Sequence, residues 1–167
     1  MRVEIEKNNK KFKIIEGEEV LLKGTRPKWY SSEIRFFHNN KTYEIKKKRF
    51  WSTSFILLES GRQIGNINWN FKSGFKIVLK HSPSNLQYWL KKEKAGKWYE
   101  SDRDYILCEN GETPVLTIHY TLKKWKEHIE VEFEDKDNAD YVLLICALFS
   151  MKQQQLSENA AASGGFS

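Results

Sequence analysis

Ile129, Val131 and Phe133 alternate with Glu130, Glu132 and Glu134, the period-two pattern of a strand with one face buried and one in water. Leu116, Ile118, Tyr120 and Leu122 alternate in the same way with Val115, Thr117, His119 and Thr121. Further short runs occur at Lys11–Glu16, Val20–Lys23, Glu33–Phe37, Thr42–Lys47, Thr53–Glu59, Gln63–Trp69, Phe75–Lys80, Leu86–Lys91, Lys97–Glu100 and Tyr105–Cys108. All are rich in Ile, Val, Tyr, Phe and Trp, which suit a pleated surface. Asn39-Asn40, Ser60-Gly61, Ser73-Gly74, Ala95-Gly96 and Asn110-Gly111 separate the runs, with His81–Asn85 as a longer loop. Asn-Gly is the strongest of these signals, because a type I′ turn needs positive φ at both central residues. The spacing predicts about twelve strands in an antiparallel meander. No long helical pattern lies between them, which excludes a βαβ fold.

One segment departs from the alternation. Asp137-Asn138-Ala139-Asp140 reads as a helix start, with Asp137 as cap and an acid three residues on. Tyr141–Phe149 then runs apolar without interruption. At about 100° per residue such a run covers every face of a helix, so the helix must be enclosed on all sides. A bilayer would need about 20 apolar residues. A sheet of the same chain rolled around the helix is the economical enclosure, since a barrel of about twelve strands is wider than its own side chains fill. The predicted architecture is a mainly β, roughly twelve-stranded antiparallel barrel around a hydrophobic helix near the C-terminus. It forms a single domain over residues 1–156 with the core helix at about 138–155. The polar run Lys152-Gln153-Gln154-Gln155 predicts a helix that leaves the barrel and frays, and 157–167 reads as a flexible tail.

The 167-residue length suits one domain, and 14% aromatic residues exclude a disordered chain. Two cysteines, Cys108 and Cys146, make neither a disulfide framework nor a four-thiolate metal site. The start, Met1-Arg2-Val3-Glu4-Ile5-Glu6, alternates charged and apolar residues without an apolar targeting core. The expectation is a cytoplasmic protein with reduced thiols, peripheral to the membrane if it binds lipid. The net charge of +6 is uneven: residues 1–100 hold 22 Lys+Arg and 10 Asp+Glu, and residues 101–167 hold 6 and 12. That imbalance attracts polyanions and assigns an anion-binding surface to the first hundred residues.

The candidate residues are basic. Lys46, Lys47, Lys48 and Arg49 run into Phe50-Trp51. Lys91, Lys92 and Lys94 follow Tyr88-Trp89-Leu90, Lys97 precedes Trp98-Tyr99, and Lys123, Lys124 and Lys126 surround Trp125. Cations bind phosphates, and flanking aromatics sit at a headgroup boundary or stack on bases. The competing explanation is that Lys-rich strand ends discourage edge pairing. Trp51 and Trp69 are expected to pack against the barrel wall or its ends.

Asp135-Lys136-Asp137-Asn138-Ala139-Asp140 has the alternate acids of a calcium loop but lacks its glycine and closing Glu. Strand alternation explains Glu130, Glu132 and Glu134, so no metal is assigned. His38, His81, His119 and His128 have no zinc spacing. Phosphate loops and nucleophile motifs are absent. No cofactor and no catalytic residue is expected, and Cys146, inside the helix, should be inert.

A barrel wrapped around a hydrophobic helix resembles the tubby C-terminal-like superfamily, shared by tubby proteins, phospholipid scramblases and LURP-one-related proteins. The segment Phe50–Gly65 (FWSTSFILLESGRQIG) resembles the strand-turn-strand unit of the last two groups. Tyr141–Phe149 after an acidic turn is similar to the family's core helix. The resemblance implies a non-enzymatic module acting at membranes, with anionic phospholipid headgroups or another polyanion as partner, bound through basic residues. Two alternatives stand beside it. One is a lipocalin-like barrel binding a small molecule in an open lumen. The other is a nucleic-acid-binding protein, ranked lower because compact RNA-binding aromatic motifs are missing.

Overall fold

A computed structural model describes residues 1–5, 11–26, 33–50, 52–70, 74–80, 85–93, 102–123 and 126–163. Among these the alternating runs form β1 (Arg2–Ile5), β2 (Lys11–Glu16), β3 (Glu19–Thr25), β4 (Ile34–His38), β5 (Lys41–Lys47) and β6 (Ser54–Glu59). The second half adds β7 (Arg62–Asn70), β8 (Gly74–Lys80), β9 (Asn85–Lys92), β10 (Arg103–Glu109), β11 (Thr113–Lys123) and β12 (Lys126–Phe133), followed by α1 (Tyr141–Ser163). Each strand pairs antiparallel with the next, and β1 pairs with β12 through Arg2↔Glu130 and Val3↔Ile129 to close the barrel. Closure leaves no free edge strand.

The tight turns follow their residues. Asn39-Asn40 and Ser60-Gly61 each have positive φ at both positions, as a two-residue hairpin with the strands' own twist requires, and Asn110-Gly111 does the same within a three-residue loop. Gly24 serves a different purpose: a Cβ built there would lie 2.1 Å from the Phe12 ring, which occupies that space from the neighbouring strand.

The inward positions of the strands, among them Ile14, Ile45, Leu57, Ile67, Ile77, Leu107, Leu116 and Ile118, are fully buried against α1. Leu143 through Met151 are buried without a break, so the helix is enclosed on every side, as its unbroken apolar run requires. Phe149 meets Phe55 edge-on at 4.8 Å, and Phe133 meets Tyr141 edge-on at 6.1 Å. The one hydroxyl in this stretch is satisfied locally, with Ser150 Oγ donating to the Cys146 carbonyl at 2.7 Å. Cys108 and Cys146 are both buried free thiols, and burial pushes the Cys146 thiol well above its ordinary value.

Lys97–Glu100, read as a strand, lies outside the described residues. Three sequence expectations are corrected. Arg2–Ile5 is a strand, although only its alternation hinted at it. The helix cap is Asp140 and not Asp137: Asp140 Oδ1 accepts from the backbone N–H groups of Val142 and Leu143, both at 2.9 Å. Finally, the helix neither frays after Ser150 nor gives way to a tail at 157. It continues to Ser163 because Gln155 is buried and Glu158 is tied to the barrel rim.

The cap yields a direct expectation. Asp140→Ala removes the acceptor of two otherwise unpaired N–H groups and should lower stability by about 1 kcal/mol. Urea unfolding would show a lower midpoint at unchanged slope, and an unmoved midpoint would contradict the capping role.

Candidate functional site

Because consecutive strands pair antiparallel, their connections fall alternately on the two ends of the barrel. The helix enters at one end and leaves at the other. The turns β2–β3, β4–β5, β6–β7, β8–β9 and β10–β11 lie at the entry end, together with the segment before α1. That end is acidic: Glu16, Glu18, Glu19, Glu109, Glu112, Glu134, Asp135, Asp137 and Asp140 outnumber Lys41, Arg62, Lys80 and Lys136. Two of the carboxylates considered for calcium, Asp135 and Asp140, are engaged within their own segment. Asp135 accepts from the Asp137 N–H at 3.0 Å and from Asn138 Nδ2 at 2.8 Å, and Asp140 caps the helix.

The exit end is basic. Strand ends and connections there bring Lys11, Arg26, Lys47, Lys48, Arg49, Lys92, Arg103, Lys123 and Lys126 together around Lys152 of α1, against Glu33, Glu93, Asp102, Glu127 and Glu158. The sequence divides its charge along the chain; the fold divides it end to end. The basic surface is therefore not confined to the first hundred residues, since Arg103, Lys123, Lys126 and Lys152 join it.

The candidate cations fare differently. Lys47, Lys48, Arg49, Lys123 and Lys126 are exposed at the exit end. Lys46 turns to the outer wall, where Nζ lies 3.3 Å from Glu44 Oε2. Burial raises the Glu44 pKa, but hydrogen bonds from Arg35 and Lys46 more than reverse this and hold it below the usual range. Lys91 bends along the wall to donate to the Gly111 carbonyl. Lys92 faces inward and binds Glu158 at 2.8 Å, a carboxylate it shares with Arg103 at 3.2 Å. Burial raises the Glu158 pKa, and hydrogen bonds from Lys92 and Gln154 outweigh it and bring the value below normal. Lys94, Lys97 and Lys124 lie outside the described residues, as do Trp51, Trp98 and Trp125. Trp69 is half-buried against Phe75 at 4.7 Å, the packing role expected of it.

Exposed apolar side chains accompany the cations at this end. Phe50 is 78% exposed, Leu156 59% and Leu122 37%. Between α1 and the wall opens a cavity of about 330 Å³, lined by Ile5, Arg26, Arg103, Tyr120, Leu122, Glu127, Lys152, Gln155, Leu156 and Asn159. The Lys152 side chain is only 18% exposed; it binds Glu127 and lies 5.0 Å above the Tyr120 ring. Burial lowers the pKa of Lys152, which Glu127 partly restores, and burial likewise lowers that of Arg26. Burial and Glu127 push the Tyr120 hydroxyl up to about 12.

Sequence reasoning passed over Arg26, Arg103, Lys152 and Glu158, because each stands apart from the dense clusters. Their shared position, at strand or helix ends of the same parity, was the available signal. The His119–Asp104 contact (Nδ1 to Oδ1, 2.8 Å) sits on the outer wall. Among the described residues no helix is long and apolar enough to cross a membrane. Set against protein-family models, curated proteins and solved structures, the chain matches none of them.

Proposed function

We propose that the protein is a tubby-like binding module that docks its helix-exit end on a surface of anionic phospholipid headgroups. The observation that carries this reading is the end-to-end separation of charge, with Lys47, Lys48, Arg49, Lys123 and Lys126 exposed around the exit of α1 and acids at the opposite end. A separation of this kind orients the molecule as it approaches a negative surface. Exposed Leu122 and Leu156 favour lipid over nucleic acid, because aliphatic side chains gain by entering a headgroup boundary and have no face on which bases stack. The lipocalin-like alternative loses its support, since α1 fills the lumen where a ligand would lie. A closed barrel around an enclosed helix is also the arrangement that the tubby-like resemblance implies.

Co-sedimentation with vesicles tests the reading. Binding to vesicles containing phosphatidylserine is expected at about 0.05 M salt and release at about 0.5 M, where the Debye length falls from over 10 Å to a few ångströms. Vesicles of phosphatidylcholine alone should bind little at either salt. Equal binding to both vesicle types, or none to phosphatidylserine at low salt, would overturn the proposal.

A further inference from the structure

The exit-end cavity carries chemistry of its own. None of the exposed cations Lys47, Lys48, Arg49, Lys123 and Lys126 lines it, so the charge of a ligand held inside it meets other groups than a docked surface does, with Leu122 and Leu156 shared between the two. Three cations do line it. Lys152 is paired with Glu127, and Arg103 with Glu158. Glu127 acts on Arg26 as well as on Lys152, so these two partly desolvated cations share one carboxylate. Two such cations against one carboxylate leave one positive charge in excess, and an anion supplied from solution offsets its cost.

The rest of the lining is mixed: Ile5, Leu122 and Leu156 are apolar and flank the cations, and Tyr120, Glu127, Gln155 and Asn159 are polar. Ile5, Arg26 and Lys152 also border a small cleft of about 60 Å³ that runs inward against Val3, Ile129, Leu148 and Phe149. A ligand held by Arg26 and Lys152 therefore has aliphatic surface on both sides of its charged group. At about 30 Å³ per water-sized group, 330 Å³ holds about ten or eleven non-hydrogen atoms. A carboxylate with a chain of about eight carbons has that size.

We propose that this cavity binds one medium-chain fatty acid anion, its carboxylate on Arg26 and Lys152 and its chain along Ile5, Leu122 and Leu156. The carboxylate takes the Arg26 fork, in the planar pairing to which guanidinium is suited. The chain covers Leu156, otherwise one of the most exposed apolar side chains at this end. Asn159 supplies a neutral donor, while buried Gln155 turns its amide to the Tyr105 hydroxyl.

Isothermal titration with octanoate tests the proposal, with acetate and octanol as probes of the charge and chain separately. Saturable binding of one octanoate per chain is expected. Octanol should bind about tenfold more weakly for want of the charge, and acetate at least a hundredfold more weakly for want of the chain. Arg26→Gln and Lys152→Met should each weaken octanoate about tenfold, while Lys23→Gln on the outer wall should not. In wild-type protein, amide shifts on octanoate titration should concentrate at Arg26, Leu122, Lys152 and Leu156, a measurement that needs no variant to fold. Octanol or acetate binding as tightly as octanoate, non-saturable uptake, or shifts centred elsewhere would each overturn the assignment. A variant with Lys47, Lys48 and Arg49 all changed to Gln separates the two readings: it should lose vesicle binding and keep octanoate.

Discussion

Leu144→Asp is expected to leave the chain unfolded at 25 °C. Leu144 has no exposed surface and lies in the middle of the buried stretch from Leu143 to Met151, with barrel wall on every side. Losing the leucine side chain removes about 2–5 kcal/mol of packing. The new carboxyl would have no water to solvate it, and keeping it there, ionised or protonated, costs several kcal/mol more. A domain of this size has a total stability of about 5–15 kcal/mol, so the two losses together consume most or all of it. Circular dichroism and amide dispersion would report the loss of the fold. The exposed site Ser157→Asp, on the same helix, should stay native. A native spectrum for Leu144→Asp would mean that the helix does not fill the barrel in solution.

Changing Lys47, Lys48, Arg49, Lys123 and Lys126 together to Gln should weaken binding to phosphatidylserine vesicles by about a thousandfold. Each cation near an anionic membrane contributes about 1 kcal/mol, and five of them exceed the threshold for binding at submillimolar lipid. All five side chains are exposed, so their neutralisation leaves the core untouched. The discriminating control changes Glu16, Glu18, Glu19, Glu112 and Glu134 to Gln at the entry end. If orientation matters, that variant binds as well as the parent or slightly better. If only net charge matters, removing five negative charges at the far end strengthens binding as much as removing five rim cations weakens it, and the oriented reading fails.

Much of the fold was legible because the burial pattern is simple. Alternation of the kind seen in Ile129–Glu134 follows directly from a wall with one wet and one dry face. The run Tyr141–Phe149 could be stable only inside something. What escaped were features decided by distant partners. Arg2–Ile5 is too short to stand out, and it becomes a strand by pairing with β2 on one side and β12 on the other. The polar half of α1 looked like a fraying end, because nothing local reveals that Lys92 and Arg103 wait for Glu158. The site was legible only in part for the same reason. Density of lysine along the chain drew Lys46 and Lys91 into the candidate set, yet a neighbouring carboxylate holds one and a carbonyl the other. Arg26 and Lys152, lone cations in sequence, meet only through the barrel's closure.

The pairing of β1 with β12 also sets the order in which the molecule can be completed. The first strand made must wait for the last, and the segment that fills the interior follows all of them off the ribosome. Until α1 emerges, the nascent chain is a curved sheet with two open edges and an unfilled apolar face, a species prone to pair with its neighbours. Contacts that span nearly the whole chain also make closure slow. Completion of the chain is therefore preceded by a window in which the open sheet is exposed to wrong pairing. That window ends when the final helix threads the barrel and the seam shuts around it.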